Sequence, residues 1–550
     1  MSIKPPSITF KPAGKNKPCT TIIEGNLNVK KNIIANCNLK VKKDLTVNKC
    51  LNVKNIVYTT ETINETGKTV SGEKSLTWVN TCGTGVLANG IKDGFYKKII
   101  KVDENTEQIL ENPNTSGILS NNIYGWSVSM SNDGKYALVG APNWVTGDGQ
   151  ITQGAVIVYS LSGDTWNKEQ EIRSSGIDDG DEFGYSVSIS DDGKTIAIGA
   201  RQEDTGSGII DNGAVYIYKY DGTSWTGEYK IVASDGLSGD EFGYSVAISG
   251  DGNSLVVGAP LRNSPSNDEG SVYFYEYGGT GIGWTGEQRI DDPRITPSIS
   301  DRFGDRFGWS VDISNDGNYA ILGSFNSSGP GEAYMYGLSG GSWTSIQSMT
   351  ASDGGNTDRF GFSVSITKDG KYIAIGSINE DTGVSNDGAV YIYKYDGTNW
   401  TNEEKIIASD GQQFDRFGNS VSISSDGKYL IVGTGNYINL SGRPGKAYIF
   451  YREDCKEDGQ WIEKKINNID SPQINDKFGY SVSISENGCY SIVGQPNYDT
   501  STTNNVGRAY IYNTNFYCLE YNEIDSLLLV DDGDSACFVY NEDYGKWIKI

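Results

Sequence analysis

The chain of 550 residues has no histidine. That absence excludes Ser-His-Asp and Cys-His nucleophile activation, imidazole-ligated metals and imidazole-based pH switching together. Cysteine is scattered. Cys19, Cys37, Cys50, Cys82, Cys455, Cys489, Cys518 and Cys537 include no CxxC pair, which argues against a zinc site and leaves free thiols, with disulfides as the alternative. No apolar run approaches the ~18 residues of a membrane-spanning helix, so membrane insertion is not expected. Residues 1–19 are polar and rich in lysine and proline, without the apolar centre of a secretory signal. Methionine is scarce (4), while glycine (69) and tyrosine (34) are abundant. That balance suits β-structure with many tight turns.

The net charge of −24 is unevenly spread. Residues 1–60 hold 11 lysines against two acids, Glu24 and Asp44, a balance of +9, so the rest of the chain carries −33. An acidic body disfavours wrapping a polyanion, and no nucleic-acid partner is expected. The basic end reads either as a solvated flexible tail over residues 1–25 or as a patch that docks on an acidic surface.

Residues 26–60 repeat every six positions. Leu27, Ile33, Leu39, Leu45, Leu51 and Val57 mark the period, and Val29, Val41, Val47 and Val53 lie two residues further on. Spacing of two places both on one strand face, and the intervening Asn and Asp supply turns. Short strands with one apolar face make no core alone. The segment is expected to stack as a β-solenoid or to be completed by other chains as a trimeric β-shaft. It resembles the shaft repeats of viral and phage fibres, which implies a homo-oligomer, a trimer through residues 26–60. Further on, Asn89-Gly90-Ile91-Lys92-Asp93-Gly94 with Lys97-Lys98-Ile99-Ile100 reads as a hairpin. Near the far end, Ala536–Tyr540 and Gly545-Lys546-Trp547 read as a strand pair. Together they resemble a small β-domain of large DNA virus proteins, divided into halves at 61–103 and 524–550.

Between the halves one phrase occurs seven times. Its cleanest copy is Phe183-Gly184-Tyr185-Ser186-Val187, Asp192-Gly193, Ile196-Ala197-Ile198-Gly199-Ala200. The others are anchored at Gly125, Gly243, Gly308, Gly361, Gly418 and Gly479, with steps of 53 to 65 residues. Each copy reads as four strands. Strand a, of the Phe-Gly-Tyr-Ser-Val type, alternates with period two. Strand b, of the Ile-Ala-Ile-Gly type, is apolar throughout and expected to be buried on both faces. Strand c begins at Gly154, Gly213, Gly270, Gly331, Gly388, Gly445 and Gly507. Strand d carries Trp166, Trp225, Trp284, Trp343, Trp400 and Trp461, expected to pack the outer edge. Asp-Gly or Asn-Gly turns join a to b (Asp192-Gly193, Asn487-Gly488) and c to d (Asp221-Gly222, Asp396-Gly397), which are strong hairpin signals. Seven four-stranded antiparallel meanders close economically as a seven-bladed β-propeller over residues 104–523, and the fold class is all-β. Closure needs one more strand. Thr106-Glu107-Gln108-Ile109-Leu110 is similar to the strand-d phrase Lys168–Ile172 and is predicted to complete blade 7 beside Gly507–Tyr512, with residues 516–522 as the rival.

Phe-Gly-x-Ser-Val followed by Val-Gly-Ala-Pro (Val139–Pro142, Val257–Pro260) resembles the FG-GAP repeat of integrin α-subunit propellers in all seven copies. The resemblance implies a binding or adhesion role, and calcium held by an Asp-x-Asp-x-Asp-Gly loop between strands a and b. Here that link is only Ser-Asp-Asp-Gly or Ser-Asn-Asp-Gly, without the spaced oxygen ligands Ca²⁺ needs, so no cofactor or metal is expected. No Ser-x-Asp-x-Gly-x-Thr-Trp box supports a glycosidase, and the many acids offer no means of choosing a catalytic pair.

In a propeller the a–b and c–d turns share one face. The longer b–c and d–a links, which differ between copies, share the other. Variable loops on a rigid scaffold are where binding sites are built. The candidate ligand-binding residues are therefore the charged ones on these loops: Glu203, Asp204, Arg359, Glu380, Asp381 and Arg416. The Asp two places before Phe (Asp181, Asp240, Asp305, Asp358, Asp415, Asp476) recurs too often to mark one site and is expected to cap backbone. The reading is a non-enzymatic binding or structural protein, on a virion surface or extracellular and fibre-like, whose loop face recognises a host protein or glycan. An integrin-α-like adhesion or scaffold module and a propeller glycan hydrolase are the alternatives.

Overall fold

The computed structural model describes residues 106–513 except for short loop stretches, together with strands within residues 20–86 and 538–549. The chain divides into two compact units. One comprises Asn105–Tyr451 and Trp461–Phe516, the other Met1–Glu104, Arg452–Gln460 and Tyr517–Ile550.

The larger unit is a seven-bladed β-propeller of four-stranded antiparallel sheets. Blade 2 shows the plan, with strand a Phe183–Ile189, b Thr195–Ala200, c Ala214–Tyr220 and d Trp225–Ile231 paired in chain order. Strand b is buried at every position, because both faces of the blade pack on its neighbours, and its residues are accordingly apolar. Strand d is buried only at its ends, Trp225 and Ile231, and exposed between them, as the outer rim requires. Trp225 is a packing residue. Its indole N–H donates to the Gly193 carbonyl at 3.0 Å, and its ring meets Tyr136 of blade 1 edge-on at 5.1 Å. Gln170 of blade 1 clamps the backbone of Trp225 in both directions at 2.8 Å.

The same clamp identifies the closing strand. Gln108 of Thr106–Glu111 bonds both ways to the Trp166 backbone, as Gln170 does to Trp225. Thr106–Glu111 forms the fourth strand of blade 7, outside Val482–Ile484, Tyr490–Gln495 and Arg508–Asn513, in a register running from Asn513↔Thr106 to Arg508↔Glu111. The ring is thus fastened by a strand from its beginning and three from its end. The rival segment, 516–522, lies outside the described residues.

Glycine sets the distance between blades. At the junction of blades 1 and 2, Gly184 has φ +90°, and a Cβ on Gly140 of strand b would fall on its carbonyl oxygen. A Cβ on Gly154 of strand c would fall on the Phe183 carbonyl. Ser127 then donates to the Gly184 oxygen at 2.9 Å. The serine-to-glycine bond recurs at Ser186–Gly243, Ser245–Gly308, Ser310–Gly361, Ser363–Gly418 and Ser481–Gly125, between 2.7 and 3.0 Å, the last joining blade 7 to blade 1.

In the smaller unit the hexads pair within one chain. Thr20–Ile23 lies parallel to Ile33–Val41, which lies parallel to Leu51–Ile63, and Leu27–Val29 is parallel to Leu45–Val47. Thr20 faces Asn38, Leu27 faces Leu45 and Ile33 faces Leu51, so partners stand 18 residues, or three hexads, apart. Of the two arrangements open from sequence, this is the solenoid. Phe538–Asn541 and Lys546–Lys549 pair antiparallel. The hairpin expected at 89–100 lies outside the described residues. Cys489 is disulfide-bonded, following the alternative rather than the free thiol.

Because Gly199 faces the Gly243 carbonyl as Gly140 faces Gly184, Gly199→Ala should lose on the order of 2–3 kcal/mol of stability by overpacking the junction. Gly222→Ala, at φ +102° but in open space, should lose about 1 kcal/mol. Denaturant titration of both variants checks this, and equal losses would show that the junction is not close-packed.

Candidate functional site at the channel mouth

The two ends of the propeller channel are built differently. On the turn face every a–b link repeats one device. Ser190 donates to Asp192 at 3.0 Å, while Asp192 and Ser190 accept the Lys194 and Thr195 N–H groups, each at 3.0 Å. The other six turns match, from Ser131–Asp133 to Ser485–Asn487. These carboxylates are engaged by their own turns. Among the described residues no three acidic or cysteine side chains gather as a metal site, so the donors do not fit the calcium of the FG-GAP resemblance. Lys368 of blade 5 reaches Asp191 of blade 2 at 3.0 Å and Glu486 of blade 7 at 3.9 Å. Blades 5 and 2 are not neighbours, so this contact crosses the channel. Asn132 also donates to Asp191. The turn end is therefore closed by a polar plug.

The loop end carries an aromatic collar. The residue after each Phe-Gly (Tyr-Gly in blade 1) is Trp126, Tyr185, Tyr244, Trp309, Phe362, Asn419 or Tyr480. Neighbouring rings touch around the axis from Tyr480 to Trp126 (4.6 Å between centroids), Tyr185 (5.5 Å), Tyr244 (5.0 Å), Trp309 (4.5 Å) and Phe362 (5.5 Å). Blade 6 breaks the collar. Asn419 stands there and donates to the Tyr480 carbonyl at 3.0 Å. Gly435 occupies the position that Phe325 fills in blade 4, where Phe325 packs on Trp309 at 4.6 Å.

A strained turn sits over each collar residue. The residue before Phe or Tyr is Ile123, Glu182, Glu241, Arg306, Arg359, Arg416 or Lys477, each with φ between 46° and 61°. Its carbonyl accepts the N–H of the collar residue, as at Glu182–Tyr185 (3.0 Å) and Lys477–Tyr480 (3.1 Å). A left-handed non-glycine residue costs roughly 1–2 kcal/mol, and such strain clusters at functional sites. In blades 2 and 3 the two acids are neutralised by Arg201, 2.6 Å from Glu182 and 2.9 Å from Glu241, its guanidinium 4.0 Å from the Tyr185 ring centre. Blades 4 to 7 present four cations in succession. Arg306 lies over Trp309 at 5.4 Å, Arg359 over Phe325 at 5.3 Å, and Lys477 over Tyr480 at 5.1 Å. Among the described residues neither Arg306 nor Lys477 has a carboxylate partner, and the Arg306 Nε is buried without a hydrogen-bond acceptor. Burial holds the Lys477 amine below its usual pKa.

Of the six residues chosen from sequence, the structure brings Arg359 and Arg416 to this mouth. Glu203 and Glu380 are buried, 3% and 5% exposed, and turned inward. Glu203 meets Lys230 and accepts from Tyr216 at 3.1 Å, and Glu380 meets Lys405 at 2.7 Å. Asp204 and Asp381 tie their own loops, accepting the Asp211 N–H at 2.9 Å and the Asn386 N–H at 2.7 Å. The recurring Asp caps backbone at Asp181, Asp240, Asp358 and Asp415, accepting from the residue three before it. Asp305 meets Arg294 at 3.0 Å and Asp476 accepts from Gln495 at 2.9 Å, and the residues three before these two lie outside the described residues. Sequence reasoning missed the collar and the other two cations. The signal was the unlike residues at the two positions flanking Phe-Gly, visible only when the seven copies are laid side by side.

An FG-GAP repeat model matches residues 166–218, 225–275, 343–393 and 400–450, each running from strand d of one blade to strand c of the next. The chain carries FG-GAP repeats. No curated protein matches it in sequence. Among solved structures it is similar to the β-propeller domain of Myceliophteria thermophila Cps50 (Swd1), at 11% identity and TM-score 0.46 over 74% of this chain and 99% of that one. The RRP9 WD40 repeats give 11% and 0.43 over 74% and 96%.

Two buried aspartates, each beside a glutamate, are held well above the usual carboxylate range. Burial, with Glu203 beside it, pushes Asp181 up to about 7, and burial with Glu380 does the same for Asp358. A carboxyl whose folded pKa exceeds its unfolded value near 4 stabilises fully below about pH 4 and loses that contribution as pH rises through 7. The melting temperature should therefore fall across pH 4.5 to 7.5. The double variant Asp181→Asn, Asp358→Asn should reduce that fall by about 1–4 °C, as read by calorimetry at matched ionic strength.

Proposed function

We propose that the protein is a non-enzymatic recognition module, carried on a virion surface or in an extracellular fibre-like assembly, whose propeller loop face binds a host protein or glycan. The observation that carries this reading is the difference between the two ends of the channel. The turn face is stereotyped and plugged by Lys368, Asp191 and Glu486, whereas the loop face gathers a broken aromatic collar and a succession of cations. FG-GAP repeats fit a binding or adhesion-like module. A hydrolase reading draws no support from the carboxylates described. Asp181 and Asp358 lie at hydrogen-bonding distance from Glu203 and Glu380, well inside the ~5–9.5 Å that glycosidic acid pairs span. The hexad segment at 26–60 serves assembly in this reading, a trimer built on the solenoid.

Binding of the full chain to a panel of cell-surface proteins and glycans tests the proposal. Combined Arg359→Ala and Arg416→Ala should weaken binding at least tenfold, while Lys194→Ala on the turn face should leave it unchanged. Loss from the turn-face variant alone would reverse the assignment. Light scattering should give a trimer mass that falls to a monomer when residues 26–60 are removed.

A further inference from the structure

We propose that the cations of blades 4 to 7 form a binding site for an anionic saccharide. Its carboxylate or sulfate lies among Arg359, Arg416 and Lys477, and its ring packs against the collar at the break in blade 6. This rests on the recognition reading above and names its ligand class. Charge is the first argument. The body outside residues 1–60 carries −33, yet four consecutive blades put a cation at the same strained position beside the axis. The acids that hold this position in blades 2 and 3 are already paired with Arg201. Lys477 is half-buried, without a carboxylate among the described residues, and burial lowers its pKa. Arg306 holds a buried Nε with no acceptor. Leaving such groups unpaired is unfavourable, and a bound anion reverses that.

Shape is the second argument. Six collar positions are aromatic and the seventh is Asn419, beside Gly435. A Cβ on Gly435 would collide with the Asn419 amide oxygen, so the two small residues are fitted to each other. This pair lies in the blade between Arg359 and Lys477, with Arg416 in the same turn as Asn419 (3.2 Å from the Asn419 N–H to the Arg416 carbonyl). Phe362 and Tyr480 hold the collar positions in the blades on either side of Asn419, both half-buried. A sugar ring offers an apolar C–H face to such rings and hydroxyls to an amide.

The test is binding of the full chain to immobilised carboxylated oligosaccharides (sialic and uronic acids), sulfated oligosaccharides, their neutral counterparts, and poly-glutamate. Preference for either acidic set over its neutral counterpart is expected, with affinity falling as salt rises. Which acidic set prevails distinguishes carboxylate from sulfate. Arg416→Ala and Lys477→Gln should each weaken binding at least tenfold without lowering the melting temperature. Asn419→Tyr, which refills the collar, should abolish it, and Arg416→Lys should retain part. Equal binding to neutral sugars, preference for poly-glutamate, or indifference to these variants overturns the saccharide assignment while leaving the recognition reading intact. Binding to nothing on either panel, or only through the turn face, overturns both.

Discussion

The contact on which the propeller depends is the approach of one blade's Phe-Gly backbone to its neighbour's strand b. At each of the seven junctions a glycine in strand b lies directly under the carbonyl of the next blade's Gly, and no side chain fits between. Six of the junctions add a serine hydroxyl donating to that same carbonyl. The exception is the passage from blade 6 to blade 7, where Ser420 instead accepts the Val482 N–H at 3.1 Å. That junction adjoins Asn419 and Gly435. The place where the scaffold's bonding departs from its rule is the place where its collar is interrupted.

A second ring of bonds lies two residues deeper and shows how strictly backbone groups are satisfied near the axis. Ser188, Ser365, Ser422 and Ser483 each accept a backbone N–H from the following blade, at 3.1 to 3.3 Å. Blade 3 has Ala247 at this position and cannot do so. Asp312 of blade 4 compensates. One of its oxygens accepts its own blade's Ile313 N–H at 2.9 Å, and the other serves Ile366 of blade 5 at 2.8 Å. Burial raises Asp312 to about 6, and two N–H donors make the charged form tolerable there.

The blade count, the strand order and the closing strand were legible because they are written as repetition. A phrase recurring seven times, a Trp opening strand d in six blades and a Gln two places before the last apolar residue of strand d at Gln108, Gln170, Gln288 and Gln347 point to one structural solution. The hexads were legible only in part. Their period says that strands stack, but Leu27 pairing with Leu45 of the same chain rather than of another cannot be read from spacing. Glu203 and Glu380 misled for a physical reason. They lie on loop-face segments, yet lysines from strand d, Lys230 and Lys405, draw them inward, and only the fold brings those strands together.

Repetition also hid the site. The Phe-Gly phrase is scaffold, and setting it aside removes from view the residues on either side of it. Those neighbours inherit a position near the axis from the scaffold without sharing its constraints. The preceding residue is held at positive φ by the turn, whatever its side chain, so the ring can carry isoleucine, glutamate, arginine or lysine there at a similar backbone cost. The following residue packs ring to ring with its neighbours, so most blades keep an aromatic and one can give it up. A closed ring turns such freedom into asymmetry at low risk to the fold. Substitutions at these two positions change the charge and shape of the mouth, while the glycine and serine contacts beneath them continue to hold the blades together.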